Sequence, residues 1–320
     1  MYSWGDDTAG WKNPGKYDFG SARRAYLDGL KKEAEDKGPR TYSTKKGPKL
    51  DLVDPKGKNL ITESENPIVI AVDGTGSMQT WPAEIFDRLP LLYQTLSKYK
   101  PDTEISFSVI GDATSDTWPV QVGAFGKGPA LDDVLKALHP EGGGGGGIRE
   151  SYELFAYFMH EHAKTPKATS PFMIIMGDEK FYEMVNPDQV KHYLGDKMQD
   201  VADSKEIWKA LAQRFDIYVL RKQYAGHDKE IVAQWAEAIG EQKIIPLYDP
   251  TRVVDVAMGL VAKRWGQFGD FKKSLSARQD AEGIENVMTS LRAAPGIDKD
   301  LKSKMKSGGS GMKSKGLTEV

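Results

Sequence analysis

Between Asn66 and about Gly266, short apolar runs alternate with amphipathic helical stretches, and this alternation constrains the fold more than any other feature of the chain. Residues 68–72, 105–110, 120–124, 172–176, 217–220 and 244–247 read as strands. Residues 83–99, 130–138, 150–163, 204–215, 229–239 and 251–265 read as helices. Strands that are apolar on both faces and separated by helices imply a doubly wound, mostly parallel α/β sheet of Rossmann-like form, with helices on both faces. In such sheets ligands gather beyond the carboxyl ends of the strands.

The flanks differ in composition. Residues 1–66 are rich in Gly, Lys, Asp and Tyr and poor in aliphatics, with one expected helix at 21–35 whose apolar side is Ala22, Ala25, Tyr26, Leu27 and Leu30. This arm has too little apolar surface for its own core, so it either lies on the main domain, 67–266, or is mobile. A further helix is expected at 272–293, within a C-terminal helical unit at 267–294. Residues 295–320 read as a flexible basic tail, with Lys302, Lys304 and Lys306 followed by a Gly/Ser run.

Composition excludes several functions. The formal net charge of −2 supplies no global field for nucleic acid or an anionic membrane. The absence of Cys removes disulfides, zinc–thiolate clusters and Cys nucleophiles. Apolar runs such as 68–72 and 172–176 fall far short of the roughly 20 residues that span a bilayer. The opening residues, Met1 to Asp7, lack a basic start followed by an apolar run, so no secretory signal is expected and the expected location is the cytoplasm.

The chemistry concentrates after the first strand, in Asp73-Gly74-Thr75-Gly76-Ser77-Met78. Three oxygen-bearing side chains stand at i, i+2 and i+4, with glycines between them that permit a tight turn. Asp178 follows the strand at 172–176, on the same expected sheet edge as Asp73. Between them lie six consecutive glycines, Gly142 to Gly147, and then Glu150, expected at the start of a helix where a carboxylate suits the positive end of the dipole. Oxygen donors without His or Cys suit a hard cation, Mg²⁺ or Mn²⁺.

A strand ending in Asp-x-Ser/Thr-x-Ser resembles the metal-ion-dependent adhesion site of von Willebrand factor A domains. The form Asp73-Gly74-Thr75-Gly76-Ser77-Met78, followed by Trp81, looks most like bacterial and alpha-kinase-linked members. The resemblance covers about residues 66–266 and implies metal ligation by Asp73, Thr75, Ser77 and Asp178. The family's middle-loop ligand is often Thr, but no Thr lies in or directly after the glycine run. Glu150 takes that place, and Arg149 replaces the usual Pro before it. The resemblance further implies recognition rather than catalysis: a protein partner's Asp or Glu completes the shell of the metal. A chaperone-like AAA+ ATPase is the partner class implied by bacterial relatives.

Other readings compete. A structural assembly subunit of a phage or large bacterial particle would use the two ends as arms that order on neighbours. An Mg²⁺-dependent phosphoester hydrolase would need a nucleophile or base, for which only Glu179 and Asp112 are near, neither paired with a His. The loop could also be a polar turn without metal. An aspartyl-nucleophile loop wants Asp-x-Asp, and Ala71 holds the first position; a phosphate loop would need Gly-Lys-Ser/Thr after the glycines. Asp112 is either a second carboxylate behind the site or a solvated turn residue. His160 and His162 project about 200° apart on a helix, too far for joint ligation. Trp208, Trp235 and Trp265 read as helix core, and Trp81 either packs the first helix or flanks the partner site.

Overall fold

The computed structural model describes residues 47–78, 81–144, 147–223 and 226–294. The expected helix at 21–35, the tail from 295 and the side chain of Trp81 lie outside the described residues.

The apolar runs form a six-stranded sheet. Its strands are β1 (Ile68–Asp73), β2 (Ile105–Ile110), β3 (Val120–Val122), β4 (Phe172–Gly177), β5 (Asp216–Arg221) and β6 (Ile244–Pro246). Their order across the sheet is β6-β5-β4-β1-β2-β3. Every residue of β1, β2 and β4 is buried, as expected where both faces are covered. All neighbouring pairs are parallel except β2 and β3, which run antiparallel with Ser108 opposite Val122. The chain between β2 and β3 contains no helix, and a parallel return would need a longer crossover. The expected strand at 120–124 is also shorter here, ending at Val122.

Helices α1 (Trp81–Tyr99), α2 (Ala130–Ala137), α3 (Tyr152–His162), α4 (Ser204–Arg214), α5 (Asp228–Ile239) and α6 (Val253–Arg264) follow the expected stretches closely. One core joins Ile68, Ile70 and Val72 of β1 to side chains of α1, α2 and α6. The other joins Val69 and Ala71 to α3, α4 and α5, with Trp208 and Trp235 fully enclosed. The molecule is thus a mixed α/β structure, a mostly parallel central sheet between helical layers, compatible with a Rossmann-like arrangement.

Two expectations are corrected. The single C-terminal helix at 272–293 is two helices, α7 (Phe268–Arg278) and α8 (Ala281–Ala293). Asp280 ends the continuity by accepting from Gly283 N at 2.8 Å, an N-cap that starts a new helix. Glu150 does not open α3. It lies in a two-residue strand, Arg149–Glu150, paired in parallel with Lys180–Phe181, and α3 begins at Tyr152.

The described part of the N-terminal arm lies on the main body. Val53 and Leu60 are buried, and Leu60–Ile61 pairs with Ala163–Lys164. Lys58 donates to Leu52 O and Val122 O, both at 2.6 Å.

Candidate functional site

Strand order reverses at β1: the chain leaves it towards β2 on one side, while β4 lies against its other side. The crevice beyond the carboxyl ends of β1 and β4 is therefore the topological switch point, the place where such sheets offer ligand positions. Asp73 is the last residue of β1, and Asp178 follows β4.

After Asp73 the backbone folds back on the carboxylate. Asp73 Oδ1 accepts from Thr75 N at 2.9 Å and from Thr75 Oγ1 at 2.6 Å. Thr75 Oγ1 lies 3.4 Å from Ser77 Oγ, which donates to Asp178 Oδ1 at 3.1 Å. Asp73, Thr75, Ser77 and Asp178 thus meet in one hydrogen-bonded group, although 101 positions separate Ser77 from Asp178.

The glycines allow this closeness. Gly76 N donates to Gly143 O, and a Cβ on Gly76 would stand 3.0 Å from the carbonyl oxygens of both Gly142 and Gly143. A side chain there would push the glycine-rich loop off the Asp73 loop. The loop is further pinned by Gly142 N to Gly74 O at 2.9 Å and Gly144 N to Ser115 Oγ at 3.0 Å.

Glu150 arrives from the other side. It is buried, and Gly144 lies between it and Thr75: a Cβ there would be 3.6 Å from Glu150 Oε1 and 3.9 Å from Thr75 Cβ. No hydrogen bond joins Glu150 to the Asp73 loop among the described residues, and its Oε2 has no partner among them. Asp112 is fully buried, which removes the solvated-turn reading. It accepts from Thr114 N at 3.0 Å, Thr114 Oγ1 at 2.6 Å and Tyr182 Oη at 3.1 Å. His160 and His162 have separate partners, Glu161 and Asp196.

Three contributors escaped the sequence reading. Tyr152 Oη donates to Asp73 Oδ2, so both oxygens of Asp73 are engaged. Lys222 Nζ donates to Ser77 O at 2.7 Å. Arg221, buried, donates to Asp178 O at 3.4 Å and pairs with Asp228. Arg221 and Lys222 stand at the carboxyl end of β5, so the strand-end rule that singled out Asp178 applies to them too. Tyr152 had no comparable signal.

The acidic groups raise one another's proton affinity. Burial, then the Asp178 charge, pushes Asp73 up to about 7. Burial and the charges of Asp73 and Glu179 push Glu150 up to about 11. Glu179 rises to about 8 through burial and Asp178, and Asp116 to about 6 mainly through burial. Burial also raises Asp178, against the lowering effect of Ser77, Lys222 and Arg221.

Whether these residues suit a hard divalent cation turns on their donors and unsatisfied atoms. Asp178 Oδ2, Glu150 Oε2 and Glu179 Oε2 are buried without a hydrogen-bond partner among the described residues. Buried carboxylate oxygens without partners are costly unless a proton or cation meets them. The donors are all oxygen, the set that Mg²⁺ prefers. Against this, no three His, Cys, Asp or Glu side chains among the described residues come together as a metal-binding group. An all-carboxylate site is thereby disfavoured, whereas a mixed set with the hydroxyls of Thr75 and Ser77 fits the residues present.

No protein-family model and no curated relative matches the chain. Among solved structures, it is similar to proximal thread matrix protein 1 from the mussel byssus, at 10% identity and TM-score 0.45, over 64% of this chain and 49% of that one. It is also similar to the pilus adhesin SpaC from Lactobacillus rhamnosus GG, at 12% identity and TM-score 0.46, over 68% of this chain and 31% of that one. The chain thus spans about half of the first protein and a third of the second, and at these scores neither likeness bears on the site. Among the described residues no helix is long and apolar enough to cross a membrane.

Proposed function

We propose that this chain is a non-enzymatic, metal-dependent protein-docking module of the von Willebrand factor A kind. The observation that carries the reading is the meeting of Asp73, Thr75, Ser77 and Asp178 at the switch point, with Asp178 Oδ2 buried and unpartnered among the described residues. Thr75, Ser77 and Asp178 would hold Mg²⁺ or Mn²⁺, with Asp73 supplying the surrounding charge and Glu150 a further oxygen donor. The cation would supply electrostatic attraction for a partner's carboxylate. Asp73 orients Thr75 by accepting a hydrogen bond from its hydroxyl, and Tyr152 holds Asp73 in turn. Ser77 is part-exposed beside exposed Gly76 and Gly142, an opening through which a partner side chain can approach.

Calorimetric titration with Mg²⁺ and with Mn²⁺ tests the reading. The unaltered protein should bind one equivalent, and Asp73→Ala should lose binding while keeping its far-ultraviolet circular dichroism. Undiminished affinity in a folded Asp73→Ala protein would sink the assignment.

A further inference from the structure

Lys222 stands out among the charged groups around the crevice. Its backbone N donates to Gly177 O at 3.0 Å, so it leaves β5 directly beside the end of β4. Its ammonium reaches across the crevice mouth to Ser77 O at 2.7 Å. Ser77 in turn hydrogen-bonds Asp178. The neighbouring Arg221 is buried and its charge is met by Asp228. Lys222 differs: among the described residues its acceptor is a neutral carbonyl, it forms no ion pair, and it is half-buried at the opening. A full positive charge is thus held against the loop that carries two of the candidate ligands.

Resting on the docking-metal reading above, we infer that Lys222 is the specificity-determining residue of the site, a fixed cation that restrains metal affinity and keeps the mouth receptive to an anionic partner group. The carboxylates of Asp73 and Asp178 balance the charge of a divalent ion. Lys222 adds one positive charge at the mouth, which opposes the hold on the cation and attracts an incoming carboxylate, without competing for a ligand atom.

A purely structural role makes the opposite prediction. If Lys222 were only a strut for the Ser77 loop, its removal would loosen the ligands and weaken metal binding. Calorimetry with Mn²⁺ on the full chain separates the two. Lys222→Met should bind Mn²⁺ more tightly, on the order of fivefold for a charge several ångströms away in a partly solvated site. The gain should shrink as salt is raised. Lys222→Arg, which keeps the charge, should stay near the unaltered protein. With Mn²⁺ saturating, the line broadening of acetate in nuclear magnetic resonance reports carboxylate access to the ion. It should be several-fold weaker in Lys222→Met. Affinity that is equal or lower in Lys222→Met, or acetate broadening that does not change, overturns the role of Lys222. Absence of Mn²⁺ binding by the unaltered protein removes the docking-metal reading itself, and this inference with it.

Discussion

Gly177→Ala probes how tightly the Asp73 loop is held from behind. A Cβ on Gly177 would fall 2.1 Å from Tyr152 Oη, 3.1 Å from its Cζ and 3.3 Å from Asp73 Cβ. Restoring ordinary contact requires the hydroxyl to retreat by about an ångström, which ends its hydrogen bond to Asp73. The ring cannot retreat freely, because it packs edge-on against Trp235 with centroids 5.5 Å apart. Overpacking of this kind costs about 1–3 kcal/mol, and loss of a charge-assisted hydrogen bond about 1.5–3 kcal/mol. One displacement causes both, so a total of about 3–4 kcal/mol is expected. Tyr152→Phe alone should cost about 1–3 kcal/mol by leaving Asp73 Oδ2 without its donor. In that background the 2.1 Å clash is gone and the contacts of 3.1 Å with Cζ and 3.3 Å with Asp73 Cβ remain, so adding Gly177→Ala should cost about 1 kcal/mol more. Equilibrium urea unfolding of the four proteins in EDTA measures the cycle. The two substitutions should couple by about 2 kcal/mol, the double variant being more stable than the sum of the singles. Additivity within about 0.5 kcal/mol would refute the placement of the Tyr152 hydroxyl between Gly177 and Asp73.

Two further predictions concern charge. Glu179 is raised to about 8 by burial and by Asp178, so the native state holds its proton more tightly than the unfolded chain. Its contribution to stability is full below the ordinary carboxylate range and is lost as pH rises from about 4.5 through about 8. In EDTA, Glu179→Gln should flatten the fall in stability between those limits; unchanged slopes in thermal unfolding would contradict it. Arg278 and Asp255 form a buried pair at 2.8 Å, joined by Gln279 Nε2 at 2.8 Å, that ties α7 to α6. Arg278→Met should cost about 3–5 kcal/mol in chemical denaturation, with partial recovery when Asp255→Asn is added. A loss below about 1 kcal/mol would mean that the pair does not hold α7 in place.

Much of the architecture is legible in the amino-acid sequence. The β2 residues Ile105–Ile110 match the expected run at both ends, because an uninterrupted apolar stretch with both faces buried leaves little freedom in where a strand lies. The sequence points to a helix start at Glu150 because a carboxylate before an apolar helical stretch is an ordinary N-terminal signal. The pairing of Arg149–Glu150 with Lys180–Phe181 overrode that local preference, and no pattern within residues 142–163 encodes it. The break at Asp280 was readable in principle, since Asp is a strong N-cap, but the apolar periodicity of the flanking segments masked it.

The sequence by itself determined the alternation of buried strands and covering helices, and with it the edge where Asp73, Thr75, Ser77 and Asp178 belong. Those residues are local to strand ends, and a strand end is visible as the point where an apolar run stops. Only the tertiary structure decided what surrounds them. Tyr152 comes from α3 on one face and Lys222 from the end of β5, while Trp235 of α5 fastens the turn after β4 by donating to Glu179 O at 2.9 Å. Their convergence follows from strand order and from packing between layers. Both depend on contacts across tens to more than a hundred residues, and no short window of sequence records such contacts.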